Sequence, residues 1–487
     1  MRDPLDLDPD GARLPIKVDT ATNGEFFPLP LTRAQKRANA LAHRRVGEAA
    51  RRVGMGRRMF LKSACGAAAT LLALDEANAA RGGRFAIPAE ARWEPAAADA
   101  ALAGGEVVID MQTHCVDPAG AWAKGADGER WARTLTQIFG QRLRCSGGPF
   151  DCYSAEQLVK DVFLDSDTDA AVVSALWGAP ESNPTPPDYA ARARDIVAAA
   201  GGRKRLLIHG GVLPNAPGQI EFMDVLAKQH RVDAWKLYPQ WGPAGTGFHM
   251  DDPRFGIPVL ERARALGVTV VCAHRGLPLP FLDAAYSHPG DIARVARLFP
   301  DLTFLCFHSG FEPGYVEGPY DPGNQRGVDR FVRAARDAGF RPNQGNLYAE
   351  LGSVWRHYMS KPDQAAHLMG KLLATFGEER ICWGTDSVWY GSPQDQIQAF
   401  RAFEITPEFQ ERFGYPALTR TAKAKILGLN AARIHAIDTG ALRRADGGDA
   451  IDRLRADYCA APNPSFATYG PKTRREMLRH LAAGGVP

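Results

Sequence analysis

From Glu106 onward the chain repeats one unit, a short and nearly continuous apolar run followed by a stretch with helical periodicity. The runs are EVVIDM (106–111), AAVVSALW (170–177), KRLLIHGG (204–211), DAWKLY (233–238), VTVVCA (268–273), TFLCF (303–307), NLYAEL (346–351) and RICWGT (380–385). Strands buried on both faces read this way, without the alternation of a half-exposed sheet. Between them lie DYAARARDIVAAA, FGIPVLERARAL, DIARVARLF, VDRFVRAARDAG and DQAAHLMGKLLATFG, all with helical spacing. Strict strand–helix alternation implies parallel pairing. Eight such units predict an α/β fold, a (β/α)8 TIM barrel over residues 106–440, with its active site at the C-terminal ends of the strands.

The first loop, from Asp117 to about Ser154, carries Trp122, Trp131 and Phe139, and its length reads as a lid or pocket wall. Within it Cys145 and Cys152 flank a Gly/Pro turn, CSGGPFDC, and could bridge in an oxidising compartment. No C-x-x-C occurs, which argues against a structural zinc site. Cys272, Cys306 and Cys382 sit inside apolar runs as small core residues. Residues 441–487 form a polar C-terminal extension without legible chemistry.

Ahead of the barrel, residues 1–56 make a basic N-terminal arm. Residues 31–62 hold ten Lys/Arg against one Glu, a net +9, which leaves −5 on the rest of a chain whose total is +4. A mildly acidic body with one basic arm argues against nucleic acid as a partner. LTRAQKRANALAHRRVGEAARRV has helical periodicity with Thr32 as its cap. Residues 57–80 then place Arg57-Arg58 before a weakly apolar run that closes on Ala77-Asn78-Ala79. This segment resembles a twin-arginine export signal and is too short and Ala/Gly-rich for a stable membrane span. The resemblance implies a folded protein carried to the periplasm by the twin-arginine machinery, with cleavage near Ala79 or Ala80. The 56 residues before the arginine pair are longer than such signals usually have. The alternative is a basic helix and an Ala-rich helix retained on a cytoplasmic enzyme.

The residues after the apolar runs carry the chemistry. Gln112 and His114 follow the first run, His274 the fifth, His308 the sixth and Asp386 the eighth. Imidazoles and a carboxylate gathered on one face suit a single divalent ion, zinc first and manganese second, with one position left open. Such an ion lowers the pKa of bound water towards neutrality, and a neighbouring His or Asp can move the proton.

Residues 106–440 resemble the second branch of the amidohydrolase superfamily, which includes aminocarboxymuconate-semialdehyde decarboxylase and related metal-dependent hydrolases and decarboxylases. The likeness rests on the strand-1 motif, AHRGLP, FHSG, CWGTDS and the closing KILGLNAARIHAI. It implies His114 and His274 as metal ligands, Asp386 as ligand or proton acceptor, and His308 as the residue orienting water or substrate. Gln112 departs from the pattern, since many relatives have His there. It either coordinates through its amide oxygen or leaves that corner to water or substrate, with Cys115 as an alternative soft ligand. Lys236 stands where two-metal relatives keep a bridging lysine and is read as substrate-binding, with Arg275, Glu350 and Trp241. Glu350 is expected to hydrogen-bond Arg275. Tyr238, Trp241, Phe248, Trp355 and Trp389 would wall a pocket for a planar or cyclic small molecule.

The leading expectation is therefore a metal-dependent hydrolase attacking a C–N or C–O acyl bond. The alternatives are a non-oxidative decarboxylase of an aromatic or enoic acid, or a binding protein impaired by Gln112. A homodimer is compatible with all three.

Overall fold

The structure is a computed structural model that describes residues 14–16, 31–138, 148–201, 204–243, 245–279, 282–442 and 449–464. Ten strands are present among them: β1 (Gly83–Phe85), β2 (Ile109–Thr113), β3 (Ala170–Ser174), β4 (Leu206–Val212), β5 (Ala234–Leu237), β6 (Val270–His274), β7 (Thr303–Phe307), β8 (Leu347–Glu350), β9 (Ile381–Cys382) and β10 (Phe403–Ile405). Strands β2 to β9 form one parallel sheet in sequence order, so all eight expected barrel strands are found. The predicted helices stand between them at Pro187–Ala199, Gly256–Leu266, Gly290–Leu298, Asp329–Asp337 and Pro362–Phe376. Inside the barrel Ile109, Met111, Val172, Leu207, Ala234, Val270, Cys272, Leu305, Phe307 and Cys382 make a core of their own, separate from the larger layer between strands and helices.

The barrel is sewn shut where β2 meets the chain leaving β9. Met111 N–H donates to Trp383 O at 3.0 Å, Asp386 N–H to Gln112 O at 2.8 Å, and His114 N–H to Ser387 O at 2.5 Å. Beneath the last two, the buried Asp110 carboxylate accepts from Thr385 N and from the Thr385 hydroxyl.

The arm is built into this body. Helix α1 (Arg33–Arg52) opens on a Thr32/Gln35 capping box, and α2 (Arg57–Leu61) and α3 (Ala64–Asn78) follow. Ten of the 15 residues of α3 are buried, because small side chains let a helix pack close on several sides. The Asp75 carboxylate of α3 accepts from Phe85 N at 2.8 Å. The Gln35 amide donates to Ser360 Oγ at 2.8 Å, and Arg81 N and Gly82 N both donate to Asp363 Oδ1. Strand β1 then pairs antiparallel with β10. The segment that reads as a leader is thus packed as a structural layer, and Ala79, one of the two positions near which cleavage is expected, is the left-handed residue (φ 47°) that ends α3. No helix among the described residues is long and apolar enough to cross a membrane.

The described part of the C-terminal extension, residues 449–464, is also tied down. A helix at Ala450–Ala460 is held by Arg205, which donates to Asp449 at 2.6 Å and Asp452 at 2.7 Å. Tyr458 OH adds a bond to Asp165 Oδ1 at 2.9 Å. Cys152 is disulfide-bonded; Cys145, its expected partner, and Phe139 lie outside the described residues. Cys272, Cys306 and Cys382 are free and buried, as expected.

Candidate functional site

The strand-end residues converge. Gln112, His114, His274, His308 and Asp386 are each at most 1% exposed. His114 Nε2 lies 3.0 Å from Asp386 Oδ1, and His308 Nε2 lies 3.1 Å from His274 Nδ1. The Gln112 amide nitrogen stands between these two pairs, 3.3 Å from His308 Nε2 and 3.3 Å from Asp386 Oδ1. Its Oε1 is buried without a hydrogen-bond partner.

The remaining ring nitrogens decide what the pairs can be. His114 Nδ1 meets Ser174 O at 2.8 Å, His308 Nδ1 meets Gly352 O at 2.8 Å, and His274 Nε2 meets Leu277 O at 3.1 Å. A carbonyl oxygen only accepts, so each of these nitrogens carries an N–H, and in a neutral ring the other nitrogen presents a bare lone pair. His114 Nε2 therefore faces the Asp386 carboxylate, and the neutral His274 and His308 turn lone pairs on each other. Burial also lowers the His274 imidazole well below its ordinary range and the His308 imidazole to about 4, so both are neutral near pH 7. Opposed lone pairs at about 3 Å repel, and a cation between them removes the conflict. Three imidazoles, one carboxylate and the unpartnered Gln112 oxygen are a donor set that fits one divalent ion.

Asp386 is the anionic corner. Burial raises its carboxyl, and the hydrogen bond and charge of His114 with the Ser353 hydroxyl more than offset this, holding it below the ordinary carboxylate range. Ser353 Oγ lies 2.5 Å from Asp386 Oδ2 and 2.9 Å from Tyr390 OH, which makes a chain of hydroxyls ending on the carboxylate. Neither Ser353 nor Tyr390 is singled out by the sequence, because both sit on irregular loops after strands. His308, Ser309, Ser353 and Asp386 all have positive φ, between 47° and 67°. For L residues that costs about 1–2 kcal/mol each, the kind of strain that gathers at functional sites.

Glu350 lies below the cluster and accepts from His308 N at 3.1 Å and Gly352 N at 2.6 Å. Burial pushes its carboxyl up to about 8. It does not meet Arg275. That guanidinium is fully buried and bound to Asp291 and to Tyr286 O, which gives it a structural task instead of the expected anion-binding one. A Cβ at position 384 would fall on the Glu350 carboxylate, so the glycine there is required. Lys236 reaches into the barrel with Nζ 3.9 Å above the Phe307 ring and 4.8 Å from the Tyr238 ring. Burial pushes the Cys115 thiol up and keeps it protonated, which is unsuited to ligation.

The expected aromatic wall divides in two. Trp389 stacks on His114 at 5.5 Å and Tyr238 on His274 at 5.1 Å. Trp131 and Tyr153, from the first loop, pack on Trp389, so the loop does wall the site. Trp355 instead packs on Phe400 and Phe403 in the core. Trp241 bonds Asp127 at 3.1 Å and lines a groove of about 630 Å³ that none of the three site histidines enters. Among the described residues a further group, His249, Asp251 and Asp291, brings ligand atoms within 4.8 Å of one another. Arg294 holds Asp251 and Arg275 holds Asp291, so these carboxylates are already neutralised.

The profile of the family described as "Amidohydrolase" matches residues 109–436. No curated protein matches the chain significantly. Solved structures that resemble it include an uncharacterised TIM-barrel protein from Bordetella bronchiseptica, at 17% identity and TM-score 0.43 over 68% of this chain and 98% of that one. A 5-carboxyvanillate decarboxylase from Sphingomonas paucimobilis also scores 0.43, at 17% identity over 69% of this chain and 100% of that one. A dihydroxybenzoic acid decarboxylase from Polaromonas, with bound manganese, scores 0.38 at 14% identity over 68% and 97%.

Proposed function

For a chain that belongs to the amidohydrolase family, we propose a metal-dependent carboxy-lyase acting on a planar, aromatic-type acid. The observation that carries this reading is the Tyr390–Ser353–Asp386 chain of hydrogen bonds, ending in a buried cluster whose histidines are covered by the Trp389 and Tyr238 rings. His114, His274 and Asp386 would hold the ion, with Gln112 as a neutral fourth donor and His308 beside it. The ion would supply a positive centre for the substrate carboxylate and an adjacent oxygen.

The protein does the rest. Trp389 and Tyr238 orient a flat ring. Full burial strips water from the carboxylate, whose charge disperses into the ring as the C–C bond breaks. Tyr390 and Ser353 pass a proton to Asp386, which delivers it to the carbon that lost carbon dioxide, so that R–CO2⁻ and H⁺ give R–H and CO2. Hydrolysis, the leading expectation from sequence, is the second reading. Asp386, held ionised, also suits acceptance of a proton from water.

Purified protein supplied with zinc or manganese is assayed on hydroxylated aromatic acids and on cyclic amides, esters and lactones. Carbon dioxide release from the acids alone supports the lyase. Cleavage of an amide, ester or lactone without carbon dioxide release overturns it.

A further inference from the structure

The turn joining α1 to α2, taken with the helix ends beside it as residues 51–59, holds Arg51, Arg52, Arg57 and Arg58 and no acidic residue. Every residue from Arg51 to Gly56 is exposed, as are Arg58 and Met59. Seven large hydrophobic side chains are exposed among the described residues, and three of them fall in this turn: Val53 (40%), Met55 (44%) and Met59 (57%). Apolar side chains are thus interleaved with arginines at one projecting point.

The turn is braced from behind. Phe60 and Leu61 are buried, the Arg52 guanidinium lies 4.0 Å over the Trp93 ring, and Arg57 contacts His43. The acidic side chains Glu48 of α1 and Glu76 of α3 are both paired with Arg45, so they do not quench the turn. We infer that this turn docks the folded protein on an anionic lipid bilayer, with the arginines at the phosphates and Val53, Met55 and Met59 at the acyl boundary.

Two features favour lipid over an acidic protein. The apolar side chains project from an exposed turn instead of lining a groove, which suits a fluid surface that closes around them. The charge asymmetry, +9 on residues 31–62 and −5 elsewhere, lets an anionic plane attract the arm and repel the body, which selects one orientation.

The test is flotation of the full-length protein with vesicles of phosphatidylcholine, with and without phosphatidylglycerol. Binding is expected only with phosphatidylglycerol, and is lost at about 1 M salt, where the screening length falls to ~3 Å. Arg51→Gln and Arg58→Gln should each weaken it about fivefold, the effect of one juxtamembrane charge. Met55→Ser with Met59→Ser should weaken it further at an unchanged melting temperature. Equal binding to both vesicles, binding to neither, or insensitivity to these variants overturns the inference. So does retention on immobilised polyglutamate without any vesicle binding, which would mark an acidic protein as the partner.

Discussion

The barrel holds two groups of histidines, and they obey opposite rules. At the upper end His114, His274 and His308 each spend one N–H on a backbone carbonyl and aim the other ring nitrogen at an acceptor. At the lower end His209 Nε2 meets His435 Nε2 at 3.3 Å, and His209 Nδ1 meets Cys272 Sγ at 3.5 Å. Burial raises the Cys272 thiol far above its ordinary range, so it stays protonated and donates to Nδ1, which leaves Nε2–H to donate to His435. The lower group is satisfied with neutral partners. The upper one gathers acceptors that a cation would satisfy together. Histidine content alone would not separate them; the backbone carbonyl partners do.

The largest break in this contrast is expected from the ligands. His114→Ala or Asp386→Asn should abolish stoichiometric metal and lower activity at least ~100-fold, above the usual cost of losing a supporting partner. Metal content that is unchanged on elemental analysis would refute the upper site. Ser353→Ala should lower kcat about 100-fold, the lower range for a lost proton-transfer group, while metal content stays the same. A parallel fall in metal would show that Ser353 only shapes Asp386.

Gln112→His replaces a neutral amide by a fourth imidazole and should tighten the metal about tenfold or more, read by competition with a chelator. No tightening would mean that this corner does not face the ion. At the lower end, His209→Ala should leave metal untouched and cost about 1–3 kcal/mol in denaturant unfolding, the value of an unsatisfied buried polar partner. Loss of metal in this variant would erase the distinction between the two groups.

The smallest effect is one of pH. Burial depresses His435 to about 4 in the folded state, against about 6.5 when unfolded. The unfolded chain then binds the proton first, so stability is complete above about pH 6.5 and falls as pH drops towards about 4. His435→Gln should flatten that fall in melting temperature, and an identical slope would show that the group does not control it.

Much of this was legible in the sequence. Eight apolar runs became eight parallel strands because double burial leaves little room for polar alternation, and His114, His274, His308 and Asp386 met because strand ends converge. What the sequence concealed was set by the backbone. The lone-pair conflict depends on Ser174, Leu277 and Gly352 only through their carbonyls, which any residue would provide. Ser353 and Tyr390 sit on loops without periodicity. Arg275 follows His274 and so looked suited to substrate, but its guanidinium turns to Asp291. The Ala-rich α3 has a composition that serves a leader and a closely packed helix equally well.

The closing seam has a consequence for how the barrel holds together. Gln112 lies on its first strand and His114 just after it, whereas Asp386 follows its last, more than 270 residues along the chain. An ion shared by both sides would act as a clasp across the widest loop in the barrel, where closure entropy is greatest. Loading the site would then reinforce a cylinder whose two ends the backbone already joins by hydrogen bonds.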